Sequence, residues 1–288
     1  MKTAVRIAAP MFVLAAAAPL AAQEVGDSDT APPPYEGTVF DGDYLSVGVG
    51  AIYGPSYNGS DDYVLSPIPI VQGSLGGIDI NPRPGGLALD FIPDGDGAVD
   101  LSLGIAAQLV RNRASQIEDP VVEALGELDT AFEVGPTVGV SFPALLNPYD
   151  SLSFNTDVRW DVAGAHDGMV VAPSITYFTP LSRALAASLS VGTNHVSGDY
   201  ADYYYSVTPA QSLASGLPAF DAGSGFKDVG INLFLGFDLD GDATNGGLAL
   251  IGIAGYSRLL GDFADTPFTS IRGDADQFMV GGGIGYTF

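Results

Sequence analysis

The sequence predicts an all-β protein: an antiparallel transmembrane β-barrel of outer-membrane type, with about 12 strands. Three observations predict it. Period-2 alternation of apolar and polar residues recurs in segments of strand length from Tyr44 onward. No segment after Ala22 has the roughly 20 apolar residues that a membrane-spanning helix needs. The last segment places Phe278, Val280, Ile284, Tyr286 and Phe288 on one face and ends on an aromatic ring.

Composition agrees with this class. Hydrophobic residues make up 47 % of the 288 positions, mean hydropathy is +0.25, and there are 38 glycines. A surplus of Gly, Tyr and Phe suits strands that face lipid on one side and a tight interior on the other. There is no cysteine. That removes a lipoprotein anchor, disulfides, thiolate metal sites and cysteine nucleophiles, and it fits passage through an oxidising periplasm. No cofactor is expected.

The N-terminus reads as an export signal. Lys2 and Arg6 precede an apolar run from Ile7 to Ala22, broken by Pro10 and Pro19, and Ala21-Ala22 offers a cleavage point before Gln23. Residues 1–22 are therefore expected to be a signal peptide, 23–42 a flexible acidic leader containing Pro32, Pro33 and Pro34, and 43–288 the barrel. Removing Lys2 and Arg6 from the ten basic residues leaves eight against 34 acidic ones, a net charge of −26. Such a chain repels nucleic acid. Its charges belong in loops, turns and lumen, since a lipid-facing band cannot hold them.

The clearest strand is 150–162. Leu152, Phe154, Thr156, Val158, Trp160 and Val162 alternate with Ser153, Asn155, Asp157, Arg159 and Asp161. Similar alternation places strands at 43–53, 63–72, 76–81, 86–92, 98–111, 132–142, 168–178, 184–195, 227–239, 247–259 and 276–288. With both barrel termini in the periplasm, the long connections 112–131, 196–226 and 260–275 all point outward. A less favoured parse fuses 76–91 into one strand and adds another at Tyr203–Val207. The connection after Val110 has the marks of a short helix over the barrel mouth: Asp119 to cap, Pro120 for the first turn, and Val121, Val122, Leu125 and Leu128 as an apolar stripe.

Four stretches carry a family resemblance: Asn58-Gly-Ser-Asp-Asp-Tyr-Val-Leu-Ser-Pro-Ile-Pro, Asp157-Val-Arg-Trp-Asp-Val-Ala-Gly-Ala-His-Asp-Gly, Ser215-Gly-Leu-Pro-Ala-Phe-Asp-Ala-Gly-Ser-Gly-Phe-Lys-Asp-Val-Gly and Gly255-Tyr-Ser-Arg-Leu-Leu-Gly-Asp-Phe-Ala-Asp-Thr-Pro. In this order, from about Tyr44 to Phe288, they resemble the MipA/OmpV family of outer-membrane proteins. The resemblance implies the outer membrane of a Gram-negative bacterium, in contact with lipid and lipopolysaccharide. It also implies a scaffolding role joining a lytic transglycosylase to a bifunctional peptidoglycan synthase, and a last strand ending at Phe288 that the barrel-assembly machinery reads. The family offers no agreed catalytic residues, and the chain is not expected to be an enzyme.

Candidate sites are few. Asp100, Glu133, Asp157, Arg159 and Asp161 form a candidate polar cluster in the lumen. It reads either as an ion-pair network filling a narrow interior or as a constriction admitting small cationic or polar solutes. The latter makes a narrow diffusion channel the alternative function. Ser215, Pro218, Phe220, Asp221, Lys227, Tyr256, Arg258 and Asp262 form a candidate outer-loop surface. His166 and His195, the only histidines, could share an outer site. The turn Asp238-Leu-Asp-Gly-Asp-Ala-Thr-Asn-Gly has calcium-loop composition, but Ala243 and Ala249 stand where such a loop needs Gly and Glu. It reads as a solvated hairpin turn.

Overall fold

The computed structural model describes residues 37–288 apart from Asp96. The expected signal peptide and the leader up to residue 36 lie outside the described residues. Twelve antiparallel strands form one closed barrel: β1 (Tyr44–Pro55), β2 (Tyr63–Leu75), β3 (Ile78–Arg83), β4 (Gly86–Asp90), β5 (Asp100–Val110), β6 (Ala131–Pro143), β7 (Ser151–Asp161), β8 (Met169–Pro180), β9 (Leu185–Val196), β10 (Gly225–Asp238), β11 (Gly247–Leu259) and β12 (Asp276–Thr287). Each strand pairs with its neighbours in the chain, and β12 closes on β1 with Tyr53 opposite Val280 and Ser46 opposite Thr287. The expected strands differ from these by a few residues at their ends.

Alternation assigns the two faces. Leu101, Leu103, Ile105 and Leu109 of β5 are exposed, as are Val280, Ile284 and Tyr286 of β12, and this outward face is what a hydrocarbon belt requires. Aromatics mark both rims of the belt. Tyr53, Phe132, Trp160, Phe226 and Phe278 lie towards one end, and Phe154, Phe237, Tyr286 and Phe288 towards the other.

The two ends differ. The end where β1 begins and β12 finishes, called here the terminal end, carries short turns such as Gly76–Gly77. The opposite, loop end carries α1 (Pro120–Glu123), α2 (Gly198–Tyr205), α3 (Pro209–Ser215), α4 (Asp262–Asp265) and α5 (Pro267–Ser270). α1 forms as its sequence predicts: Asp119 Oδ1 accepts from the amides of Val121 and Val122 at 2.7 and 3.3 Å, with Pro120 in the first turn. The strand proposed for Tyr203–Val207 in the less favoured parse does not exist. Residues 198–205 are helical, because Tyr200/Tyr204 and Ala201/Tyr205 recur at helical spacing and Ser197 caps the start. The buried apolar cluster is the packing of these loops over the mouth: Tyr57, Val122, Tyr204, Tyr205, Phe263 and Phe268 are each at most 3 % exposed.

Candidate functional site: the lumen network beneath the loop plug

The inward faces of β3, β6 and β7 bring together a chain of charges. Arg83 Nε contacts Asp157 Oδ2 at 3.0 Å. Asp157 also accepts from the Thr137 hydroxyl at 2.7 Å and lies 3.3 Å from Arg159 Nη1. Arg159 Nε then reaches Glu133 Oε2 at 3.1 Å. Glu133 Oε1 lies 3.3 Å from Nε2 of His166. Glu133, Asp157, Arg159 and His166 are all nearly inaccessible. Burial of charges this close in a low-dielectric interior is tolerable only because each has an opposite partner.

Backbone geometry makes room for this chain. Gly135 shares the inward face with Glu133 and Thr137, and a Cβ there would lie 2.0 Å from the Val158 carbonyl and 3.1 Å from Arg159 Cα. Only glycine fits where β6 and β7 approach so closely beside the Arg159 side chain. The His166 ring is fixed from its other side, since Nδ1 accepts from the Gly168 amide at 3.0 Å. That leaves Nε2 turned towards Glu133. Tyr200 and Tyr204 cover the ring at centroid distances of 4.9 and 5.4 Å.

Of the expected lumen cluster, the structure thus joins Glu133, Asp157 and Arg159. Asp161 takes no part in the ion pairs. Its carboxylate accepts amides of Ala163, Ala165 and His166 at 2.9, 2.6 and 2.8 Å and so shapes the loop that delivers His166. Asp100 is at the terminal end, where it accepts the Gly95 amide at 3.2 Å. Sequence reading missed Arg83, Thr137 and the His166–Glu133 contact. Arg83 sits between two prolines in a six-residue strand, too short for alternation to assign its face with force.

The expected outer-loop surface divides three ways. Pro218, Asp221 and Asp262 are exposed, and Asp262 accepts the Gly223 amide at 2.8 Å, tying two loops together. Ser215 closes α3 through Gln211 O at 2.7 Å, while Phe220 bridges to Val207. Lys227 is not a surface residue. A register shift between Phe226 and Asp228 turns it inwards, to 3.2 Å from Asp228 Oδ2 and 3.5 Å from the Tyr200 hydroxyl. Tyr256 and Arg258 are on the outward wall of β11, where both bond Asp276 of β12, at 2.6 and 2.7 Å.

His195 does not meet His166. It lies on the outward face of β9, its ring 5.1 Å from Phe226, whereas His166 is enclosed beneath the plug. In the 239–246 turn the carboxylate of Asp238 accepts the amides of Asp240, Gly241 and Asp242 at 3.0, 3.0 and 3.1 Å, as a hairpin turn does.

The plug holds a second buried cation. Arg113 is 1 % exposed, bonds Tyr204 O at 3.3 Å and lies 5.0 Å from the Phe268 ring centroid. No carboxylate pairs with it among the described residues. Burial lowers its pKa to about 10. Burial likewise pushes the Tyr57 phenol up to about 12 and raises those of Tyr204 and Tyr205, so these rings stay neutral.

A family model described as MltA-interacting protein MipA matches residues 47–288. A search of curated proteins finds no match. Among solved structures, an outer-membrane channel from Pseudomonas putida F1 is 13 % identical over 90 % of this chain and 100 % of its own, with a TM-score of 0.43. The outer-membrane protein OprD from Pseudomonas aeruginosa is 11 % identical over 86 % of this chain and 66 % of its own, with a TM-score of 0.35. OmpT of Vibrio cholerae is 7 % identical over 85 % and 97 %, with a TM-score of 0.34.

Proposed function

Because the chain belongs to the MltA-interacting protein (MipA) family, we propose that it is a non-enzymatic interaction protein of the cell envelope. In this reading it is exported by residues 1–22, folded by the barrel-assembly machinery through β12 and held in the outer membrane among lipid and lipopolysaccharide. Its terminal end faces the periplasm and docks a peptidoglycan-remodelling enzyme. The family's description points to a lytic transglycosylase, and a peptidoglycan synthase is the second candidate partner.

The observation that supports docking over conduction is the loop plug, in which Tyr57, Tyr204, Tyr205, Phe263 and Phe268 seal the outer mouth. The charge of the opposite end supplies the docking chemistry. Asp43, Asp79, Asp94, Asp100 and Asp240 gather there, and Arg183, paired with Asp242, is the one basic residue at that end among the described residues. Such a field steers a basic surface to it. The acidic leader 23–42 offers the same partner further negative charge.

The test is capture of a purified lytic transglycosylase by the refolded barrel. Asp79→Asn, Asp94→Asn and Asp100→Asn together should weaken capture at low salt, and deletion of 26–40 should weaken it further. Capture indifferent to both changes refutes the reading. Conductance of the refolded barrel in a planar bilayer decides the alternative, a narrow channel for small cations. Discrete cation-selective steps would establish the channel, and a folded but silent barrel would remove it.

A further inference from the structure

Among the described residues the barrel wall has one weak junction, and three prolines border it. β2 pairs with β1 from Tyr44–Ser74 up to Pro55–Tyr63, but with β3 only at Gly73–Ile80, Ser74–Asp79 and Leu75–Ile78. Above those rungs no strand hydrogen bond joins β2 to β3. The direction of each backbone group follows from the register. Ser56 N–H donates to Asp62 O, so even-numbered residues of β2 bond to β1 and odd-numbered ones turn towards β3. Pro67 and Pro69 are odd and offer no N–H on that side. On β3 the residues facing β2 are even, in step with Ile80 opposite Gly73, and Pro82 is among them. In this register Pro82 lies opposite Val71, and β3 ends at Arg83, opposite Ile70. Pro82 thus withholds a donor from β2, while Pro67 and Pro69 line the open edge of β2 just above the β3–β4 hairpin. Prolines in a sheet belong on unpaired edges, yet a lipid-exposed barrel should have no edge at all.

The lumen beside this seam is not the polar interior expected of a water-filled barrel. Val64, Ile68 and Ile70 share the inward face of β2. A cavity of about 290 Å³ is lined by Ile52, Val64 and Met279 together with Ser66, Asn232 and Gln277. Further round, Phe234 faces inward and is still 36 % exposed. Across the seam, β3 to β5 carry Asp79, Asp90 and Asp100 towards the terminal end, while Glu133 and Asp157 of β6 and β7 are already paired with Arg159 and Arg83. One wall suits a hydrocarbon chain and the other a positive head, while the outer mouth is shut by the plug.

We propose that the β2–β3 seam is a lateral gate through which a single-chain aliphatic amine passes between the membrane hydrocarbon and the lumen. The amine's head would share Asp79 and Asp100 with the docking role, but quenching of an indole inside the seam reads the gate whether or not an enzyme docks.

The chain's lack of cysteine and its single tryptophan make the test clean. Ile68→Trp in a Trp160→Phe background places the only indole inside the lumen beside the seam. In lipid vesicles, dodecylamine brominated at its chain end should quench this indole saturably, and brominated dodecanoate should quench it far less. A disulfide across the next rung, from Gln72→Cys with Asn81→Cys, should abolish quenching, and reduction should restore it. Replacing Pro82 by Val should add the rung opposite Val71, raise Tm and also abolish quenching. Native Trp160, on the lipid face, controls for folding and probe partitioning. An indole at 68 that is never quenched, or is quenched equally with the seam locked or laddered, overturns the gate. Equal quenching by the carboxylate overturns the choice of an amine.

Discussion

Arg83 of β3 and Asp157 of β7 meet at 3.0 Å although β4, β5 and β6 stand between their strands in the sheet order. The contact therefore crosses the lumen rather than following the wall. It fastens the short β3–β4 hairpin to the long strands opposite, which matters because that hairpin is only weakly laddered to β2. Arg83→Met should leave Asp157 with Arg159 and Thr137 as partners, costing about 1–2 kcal/mol rather than the larger loss of a fully orphaned buried charge. Urea unfolding of the refolded barrel measures this. In a double-mutant cycle with Asp157→Asn the double variant should lose less than the sum of the two single losses.

Arg113 predicts the opposite sign. Its guanidinium is enclosed in the plug with one carbonyl and one aromatic face for partners. Burial lowers its pKa only to about 10, so the charge persists at neutral pH. Replacing an uncompensated buried charge by an apolar chain of similar length is stabilising where packing is kept, by about 1–3 kcal/mol. Arg113→Met should therefore raise Tm. A fall in Tm would mean that the cation has a partner that offsets its burial.

Closure of the mouth rests on rings that touch one another. Phe268 lies 6.0 Å from Tyr57 and 5.9 Å from Tyr205, with Arg113 over its face. Phe268→Ala removes the common neighbour of all three and should cost about 3–5 kcal/mol, the range for truncating a buried Phe. In a planar bilayer the variant should show flickering conductance where the parent is silent. A variant as silent as the parent would place the closure deeper, at the Arg159–Glu133 pair.

The barrel was legible because alternation is a local signal repeated along every long strand, as Leu152 to Val162 shows. The plug was legible only at α1, where Asp119 and Pro120 mark a helix start in the sequence itself. α2 was hidden because Tyr203, Tyr204 and Tyr205 are strand-favouring residues, and their helical spacing shows only when Tyr200 and Ala201 are counted with them. Arg83 could not be placed from sequence, since a contact across the lumen joins residues that no local period relates. Lys227 was misplaced because one residue of bulge reverses the face on which it falls. The seam, by contrast, is written in the chain as Pro67, Pro69 and Pro82, but its meaning depends on which side of each strand those residues turn.

Asp119 gives the plug a pH dependence. Burial works against its charge, but the Arg272 guanidinium at 2.7 Å and the amides of Val121 and Val122 outweigh that and hold its carboxyl below the usual range. A carboxyl lowered in the folded state contributes stability that is complete above the unfolded value of about 4 and is lost as pH falls through the folded one. The α1 segment should thus stay docked at neutral pH and loosen only in stronger acid. Asp119→Asn keeps an acceptor for the helix cap but loses the charge that Arg272 sees, and should cost about 1 kcal/mol at neutral pH. Proteolysis of the 111–130 connection reads this directly. The parent should become cleavable only in acid, the variant should be more readily cleaved already at pH 7, and the two should converge below the parent's transition. Parallel curves at all pH values would show that the Asp119–Arg272 pair does not hold α1 in place.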